Sequence, residues 1–407
     1  MSPFDIIINV LIVLAAALLV GELFERFRLP SVVGEILAGM IIGPSVLALV
    51  LPSDPVRAVS SIALFFIIFH IGFEMKTQMV QGKLQAASLF SMTSFILPFA
   101  LMMVASLIFL PFNTKESLIV ALAIAVPSLS IISVLIWQYN LLKTITGQTI
   151  LASVTISDIL AFVIFVGILR PIESTLTIIL EIAIFAFAFI VVDRVLNSRP
   201  QVIQNVLQSA GRFFKREDFA FALLIIVALL VSAIFQTIGL SFILGSFFAG
   251  LIFHDGLIGR KSYDRVCQTL STMNRIFFIP LFFGFAGLEV ILSSVDYIQY
   301  AGLAVLIVLA LGVGVSLTYY VSRKLMHAKL DVSPKLLAGI LGGRGAIGIV
   351  IATVAFTEGS LNESGFSLVI LATLIMSLVI PFLTGRKTKK EKETHEEEAA
   401  VSLISEL

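Results

Sequence analysis

The chain has 407 residues, of which 58% are apolar and only 13% charged, with a mean hydropathy of +1.08. Soluble domains average near half apolar and about a quarter charged, so a soluble enzyme is excluded and an integral membrane protein indicated. A net charge of +1 argues against a nucleic-acid partner, and the lone Cys267 leaves no intrachain disulfide and no cysteine-rich metal site.

Runs of roughly 20 apolar residues are long enough to cross a hydrocarbon core, and they predict an all-α membrane protein of about 13 spans. In chain order the spans lie near 5–24, 32–51, 57–75, 86–110, 116–138, 148–169, 174–196, 218–236, 239–254, 273–291, 299–321, 335–356 and 365–384. Met1–Val20 lacks a basic n-region and a small-residue cleavage site, and reads as a retained first span. With the N-terminus outside, 23 of the 27 lysines and arginines fall on the inward side. Three (Arg57, Lys115 and Arg170) fall outside, and Arg344 lies within a span. That asymmetry follows the positive-inside rule and predicts a multi-pass plasma-membrane protein with its C-terminus in the cytoplasm.

The longest polar stretch between spans, Asn197–Arg216, divides the membrane region. We read one membrane domain over 1–385, with a first half at 1–170, a linker helix and loop at 171–216 and a second half at 217–385. The tail 386–407 begins basic, turns acidic at Glu396-Glu397-Glu398, and is expected to be a short solvated helix or disordered. The halves repeat each other. Leu29, Gly34, Ala38 and Gly39 recur as Leu240, Gly245, Ala249 and Gly250 at an offset of 211. Gly72 and Glu74 recur as Gly287 and Glu289 at an offset of 215. Small residues are common in membrane helices generally, but two matches in the same order favour duplication. An odd offset of seven spans makes the repeats inverted, a pattern of secondary transporters with midplane sites on interrupted helices.

The equivalent fifth and twelfth spans are both interrupted in sequence. Pro127 sits halfway along the fifth, where a missing N–H and a clash with the carbonyl four residues back break the helix. Gly342, Gly343, Gly345 and Gly348 flank Arg344 halfway along the twelfth. Unwound backbone at that depth is tolerated only inside protein or along a wet cavity. Asp158 lies at the centre of the sixth span, and a carboxylate at the bilayer centre marks an ion path, relay or counter-ion site. Thr155 shares its helical face. Asp158, Ser157, Thr155, Ser128 and Ser130 supply the oxygen ligands that a hard monovalent cation requires. The alternative is a permanent Asp158–Arg344 pair acting as a neutral strut. Arg344, with Pro127, Gly343 and Gly345, reads as structural or charge-compensating at the broken helix. Glu35, Glu74 and Glu289 are expected at an interface or funnel, His70 as a packed polar residue and Phe277–Phe285 as packing or lipid-facing surface. Glu181 has no assigned role.

These residues carry a resemblance. Arg28–Gly39, continuing to Ile42-Gly43-Pro44-Ser45, resembles the opening signature of the monovalent cation:proton antiporters of the sodium/hydrogen exchanger superfamily. Phe69–Glu74 resembles their F-x-x-G-L-E element, Phe278–Phe283 their P-x-F-F segment and Gly343–Gly348 their R-G-E-x-G element. The resemblance is to the Kef/Nap-like bacterial and archaeal branch, without a regulatory nucleotide-binding domain. It implies a 13-helix fold with crossed broken helices, a core domain moving against a dimerisation domain by an elevator-like motion, and a homodimer in the lipid membrane. The chain departs from the pattern at several positions. Ser157-Asp158 stands where electrogenic members carry paired aspartates. Pro127-Ser128-Leu129 lacks the threonine of the family's fifth-span stretch, Leu311–Val315 carries no lysine, and Ala346 replaces the glutamate of R-G-E.

Asp158 is then the one titratable group of the site. The expectation is electroneutral, one-for-one exchange of a proton for a monovalent cation, sodium first and potassium or lithium as alternatives. No cofactor, catalytic motif or nucleotide-binding motif is evident. A channel or uniporter on the same scaffold, and a non-transporting membrane sensor, are the competing readings.

Overall fold

The computed structural model describes residues 3–27, 29–74, 84–127, 144–169, 194, 219–237, 242–253, 255–296, 298–307 and 340–384, with residues 132, 136, 139, 141, 312, 316 and 320. Glu181, the Asn197–Arg216 linker, Ser128, Ser130 and the tail 386–407 lie outside the described residues.

The regular structure of the described residues is helical, and Pro127 and Arg344 form an isolated antiparallel bridge. Helix α1 (Pro3–Arg26) is followed by α2 (Ser31–Ile42). The sequence predicts a second span to residue 51, but α2 stops at Ile42. Pro44 disfavours helical backbone at the residue before it, and Gly43 is extended (φ −78°, ψ −177°). The chain then folds back on itself, with Ala48 N–H donating to Gly43 O at 2.8 Å and Leu49 N–H to Ile42 O at 2.9 Å. Helix α3 (Asp54–Glu74) comes next. Helix α4 (Leu84–Ser91) passes through a π-turn (Met92–Ile96) into α5 (Leu97–Phe109). Helix α6 (Thr114–Ala125) opens on a capping box, in which Glu116 N–H donates to Asn113 Oδ1 and Asn113 N–H to Glu116 Oε2.

Helix α7 (Ile145–Leu169) carries Asp158, and α8 (Phe219–Thr237), α9 (Phe242–Ile252) and the short α10 (Asp255–Ile258) follow. Helix α11 (Arg260–Met273) runs through a second π-turn (Asn274–Phe278) into α12 (Ile279–Leu288). The tenth span, predicted from residue 273, is therefore the apolar end of a helix whose first half is polar. A 3₁₀ turn (Leu292–Ser294), α13 (Ile298–Ile307), α14 (Ala346–Thr357) and α15 (Glu363–Thr384) complete the described chain. Among the described residues, five helices are long and apolar enough to cross a membrane by length and composition. Leu11, Leu19 and Leu23 of α1 are exposed, as a lipid-facing surface requires.

Two close helix seams organise one side of the molecule. A Cβ on Gly39 of α2 would lie 3.0 Å from Gly287 Cα of α12, and one on Gly287 would lie 2.9 Å from Gly39 Cα. A Cβ on Gly72 of α3 would lie 3.2 Å from Gly250 Cα of α9, and one on Gly250 would lie 2.9 Å from the Gly72 carbonyl carbon. Neither seam has room for a side chain, so the backbones touch directly. Helix α1 joins this side by packing on α2 and α12, and α8 joins it by packing on α9. On the other side α6 packs against α5, α14 and α15, while α4 runs along α7.

Candidate functional site

The end of α6 meets the non-helical stretch before α14. Helix α6 ends at Ala125, Val126 is extended (φ −65°, ψ 124°), and Pro127 forms the bridge to Arg344. In the second segment residues 340 and 341 are helical, residues 342–345 are not, and α14 starts at Ala346. Gly348, one turn into α14, lies against the Ala123 carbonyl, the group left without its helical donor by Pro127.

Arg344 occupies this junction, 1% exposed and among the largest fully buried side chains. Its Nη1 donates to Ala125 O, at the end of α6, and its Nη2 to Ser94 O, at 3.3 Å. Both acceptors are carbonyls without an ordinary α-helical donor. Ala125 is the last residue of its helix, and Pro98, four residues after Ser94, has no N–H. A guanidinium at a helix C-terminus also meets the negative end of the helix dipole. Ser377 of α15 donates to the Arg344 carbonyl at 3.0 Å. Among the described residues Arg344 makes no ion pair, with Asp158 or any other carboxylate.

Asp158 is fully buried, and neither carboxylate oxygen has a hydrogen-bond partner among the described residues. The same residues contain no cluster of three histidine, cysteine or acidic groups. Ser157 Oγ donates to Ser153 O at 2.9 Å and shares a 2.9 Å hydrogen bond with Ser91 Oγ, tying α7 to the end of α4. Thr155 is partly buried and its hydroxyl donates to Leu151 O at 3.1 Å. At the far end of α7, Lys115 Nζ caps Leu169 O at 3.3 Å.

The structure thus brings Pro127, Gly343, Arg344 and Gly345 together, and places Ser157 and Asp158 on the helix tied to the same π-turn. The sequence reading missed that turn. Ser91 touches Ser157 before it, and Ser94 O receives Arg344 within it. The signal was the cluster Ser91-Met92-Thr93-Ser94 followed by Pro98.

A cleft of about 180 Å³ opens at one end of α3, α12 and α14, lined in part by Arg57, Gln236, Glu289, Thr353 and Glu358. Arg57 and Glu289 form a two-pronged ion pair across it, Nε to Oε1 at 2.7 Å and Nη2 to Oε2 at 3.1 Å. Glu35, expected at an interface or funnel, is buried where α2 meets Gly21 of α1 and is bonded to Ser31.

The family model for the sodium/hydrogen exchanger transmembrane region matches residues 11–390. The chain belongs to that family. As an exchanger-family chain it is 24% identical over 402 residues to the Na(+)/H(+) antiporter NhaS4 of Synechocystis, covering 92% of this chain and 95% of that one. It is 20% identical over 412 residues to the Na(+)/H(+)-K(+) antiporter GerN of Bacillus cereus, covering 96% and 99%. Its fold is similar to the solved structure of the sodium proton antiporter MjNhaP1 from Methanocaldococcus jannaschii, with a TM-score of 0.69 at 17% identity. That match covers 93% of this chain and 95% of the other.

Proposed function

We propose that this chain exchanges a monovalent cation for a proton across the plasma membrane, with Asp158 as the carboxylate that the two compete for. The observation that carries the reading is the isolation of Asp158: fully buried, with no hydrogen bond and no ion pair among the described residues. An ionised carboxylate so placed costs several kcal/mol unless a counter-charge arrives. A proton neutralises it, and so does a cation. The empty anion does not cross, and that requirement couples the two fluxes. Arg344 takes its hydrogen bonds from carbonyls, which weighs against the Asp158–Arg344 strut.

With Ser157 beside it, Asp158 is the single titratable group of the site, and each turnover carries one proton against one cation without net charge. Ser128 and Ser130 after the Pro127 break, together with Thr155 and Ser157, complete the oxygen set in this reading. Sodium is the first cation, because NhaS4 and GerN both carry sodium in their names, and potassium, present in GerN's, is the second.

The architecture of the proposal is 13 spans in two inverted repeats, with crossed broken helices and a homodimer in the lipid bilayer. The glycine seams support the inversion. Gly39 and Gly250 are repeat equivalents, as are Gly72 and Gly287, so exchanging the two halves turns the Gly39–Gly287 seam into the Gly72–Gly250 seam. In an elevator motion the body built on α6, α7, α14 and α15 moves against the glycine-sealed body, with the Arg57–Glu289 cleft on the outward side.

Cation-driven proton flux in vesicles with an internal pH dye tests the reading, run with sodium, lithium and potassium in turn. A cation pulse that dissipates the pH gradient supports it. Flux that follows an imposed membrane potential refutes the one-for-one stoichiometry.

A further inference from the structure

Buried hydroxyls on membrane helices have an easy local partner, the carbonyl three or four residues back. Here most use it. Ser153 donates to Ile150 O at 2.8 Å, Ser157 to Ser153 O at 2.9 Å, Ser232 to Ala228 O at 2.8 Å and Thr353 to Ile349 O at 2.8 Å. Ser94 does not. It is 2% exposed, and its Oγ has no hydrogen-bond partner among the described residues. The carbonyl four residues back, Phe90 O, already receives the Thr93 hydroxyl at 3.2 Å.

Its position separates Ser94 from the other two such serines, Ser106 and Ser117. Ser94 lies within the π-turn Met92–Ile96. Three residues before it, Ser91 Oγ meets Ser157 Oγ at 2.9 Å, one residue from Asp158. Its own carbonyl accepts from Arg344 Nη2. The turn is therefore held at one end against the Asp158 helix and at the other against the broken chain at Arg344. π-turns recur at functional sites because the extra residue re-aims side chains out of the i→i−4 pattern. Two buried oxygen-bearing side chains without partners, Ser94 and Asp158, sit on elements that these two contacts hold together.

We infer that the Ser94 hydroxyl is a ligand of the transported monovalent cation, supplying a neutral oxygen opposite the Asp158 carboxylate. This rests on the proposed exchange at Asp158. A neutral ligand adds affinity and size discrimination without adding a proton, so it acts on cation binding and leaves the one-for-one exchange unchanged.

The test uses the full-length protein in two assays. In vesicles, Ser94→Ala is expected to raise the cation KM at least fivefold with little change in maximal rate, and to alter the sodium-to-potassium KM ratio. Ser94→Thr, which keeps the hydroxyl, stays within twofold of wild type, as does the control Ser106→Ala. In detergent, sodium chloride against choline chloride is expected to raise the melting temperature of wild type, and Ser94→Ala to lose most of that shift. Wild-type KM and an undiminished shift in Ser94→Ala overturn the inference, and so does a wild type that shows no sodium-dependent shift. The Asp158 reading fails separately, if wild type binds sodium but moves no protons or if Asp158→Asn still exchanges. The melting shift still decides the role of Ser94 in that case. Should Ser94→Ala not fold, Ser94→Cys replaces the hard oxygen by a soft sulfur, and an unchanged KM there overturns the inference equally.

Discussion

Arg344 donates to the carbonyl of Ala125, the last residue of α6, so that the break in one helix is capped by the side chain standing in the break of another. The bridge between Arg344 and Pro127 continues the same contact along the backbone. Removing the guanidinium takes a donor from each of two buried carbonyls, a loss of about 1–3 kcal/mol apiece. Arg344→Ala is therefore expected to lower the melting temperature strongly in detergent. Arg344→Lys, a point charge without the planar fork, recovers only part of the loss. Equal stability of Arg344→Ala and wild type would remove the capping role.

The glycine seams give a paired expectation. Gly39→Ala places a methyl on the backbone of α12, and Gly72→Ala places one on α9. Each is expected to destabilise by about 1–3 kcal/mol through overpacking. The two are distant and should add when combined. Thermal unfolding followed by size-exclusion fluorescence reads both.

The strap after α12 is tied on both sides. Ser45 Oγ donates to Val290 O at 2.5 Å, and Ser367 Oγ of α15 accepts from Ile291 N–H at 3.1 Å. In an elevator motion the Ser45 contact stays within the fixed body, whereas the Ser367 contact crosses to the moving one. Ser367→Ala is expected to cost about 1 kcal/mol and to change the transport rate, while Ser45→Ala costs stability alone. Rates in vesicles alongside melting temperatures separate them.

The pH response follows from competition. As the pH falls, protons occupy Asp158 and exclude the cation, so the apparent cation KM rises, approaching tenfold per pH unit once the carboxyl is mostly protonated. Maximal rate at saturating cation holds while KM climbs. A KM independent of pH would separate the proton and cation sites. Cation titrations at several pH values read this out.

Much of this was legible in the sequence, and what was not has physical causes. Asp158 stood out because a carboxylate is rare in an apolar run, and Pro127 and the glycines around Arg344 because each breaks a helix by its own chemistry. The partners of Arg344 were not legible, since they are backbone carbonyls and every residue has one. Only the fold decides that those of Ala125 and Ser94 meet the guanidinium. The π-turn was hidden for a related reason, because one extra residue in a turn leaves the apolar pattern of the span intact. Glycines 39, 72, 250 and 287 were visible as a repeat, while their exchange of partners between halves required coordinates. The end of α2 was misjudged by apolarity, which Pro44 overrides.

The central claim is that one carboxylate carries both the proton and the cation. Proton flux driven by a sodium pulse into vesicles, with wild type beside Asp158→Asn, tests it most directly. The account predicts dissipation of the pH gradient by wild type and none by a folded Asp158→Asn. Exchange that persists in Asp158→Asn would contradict it and move the carrier site elsewhere in the molecule.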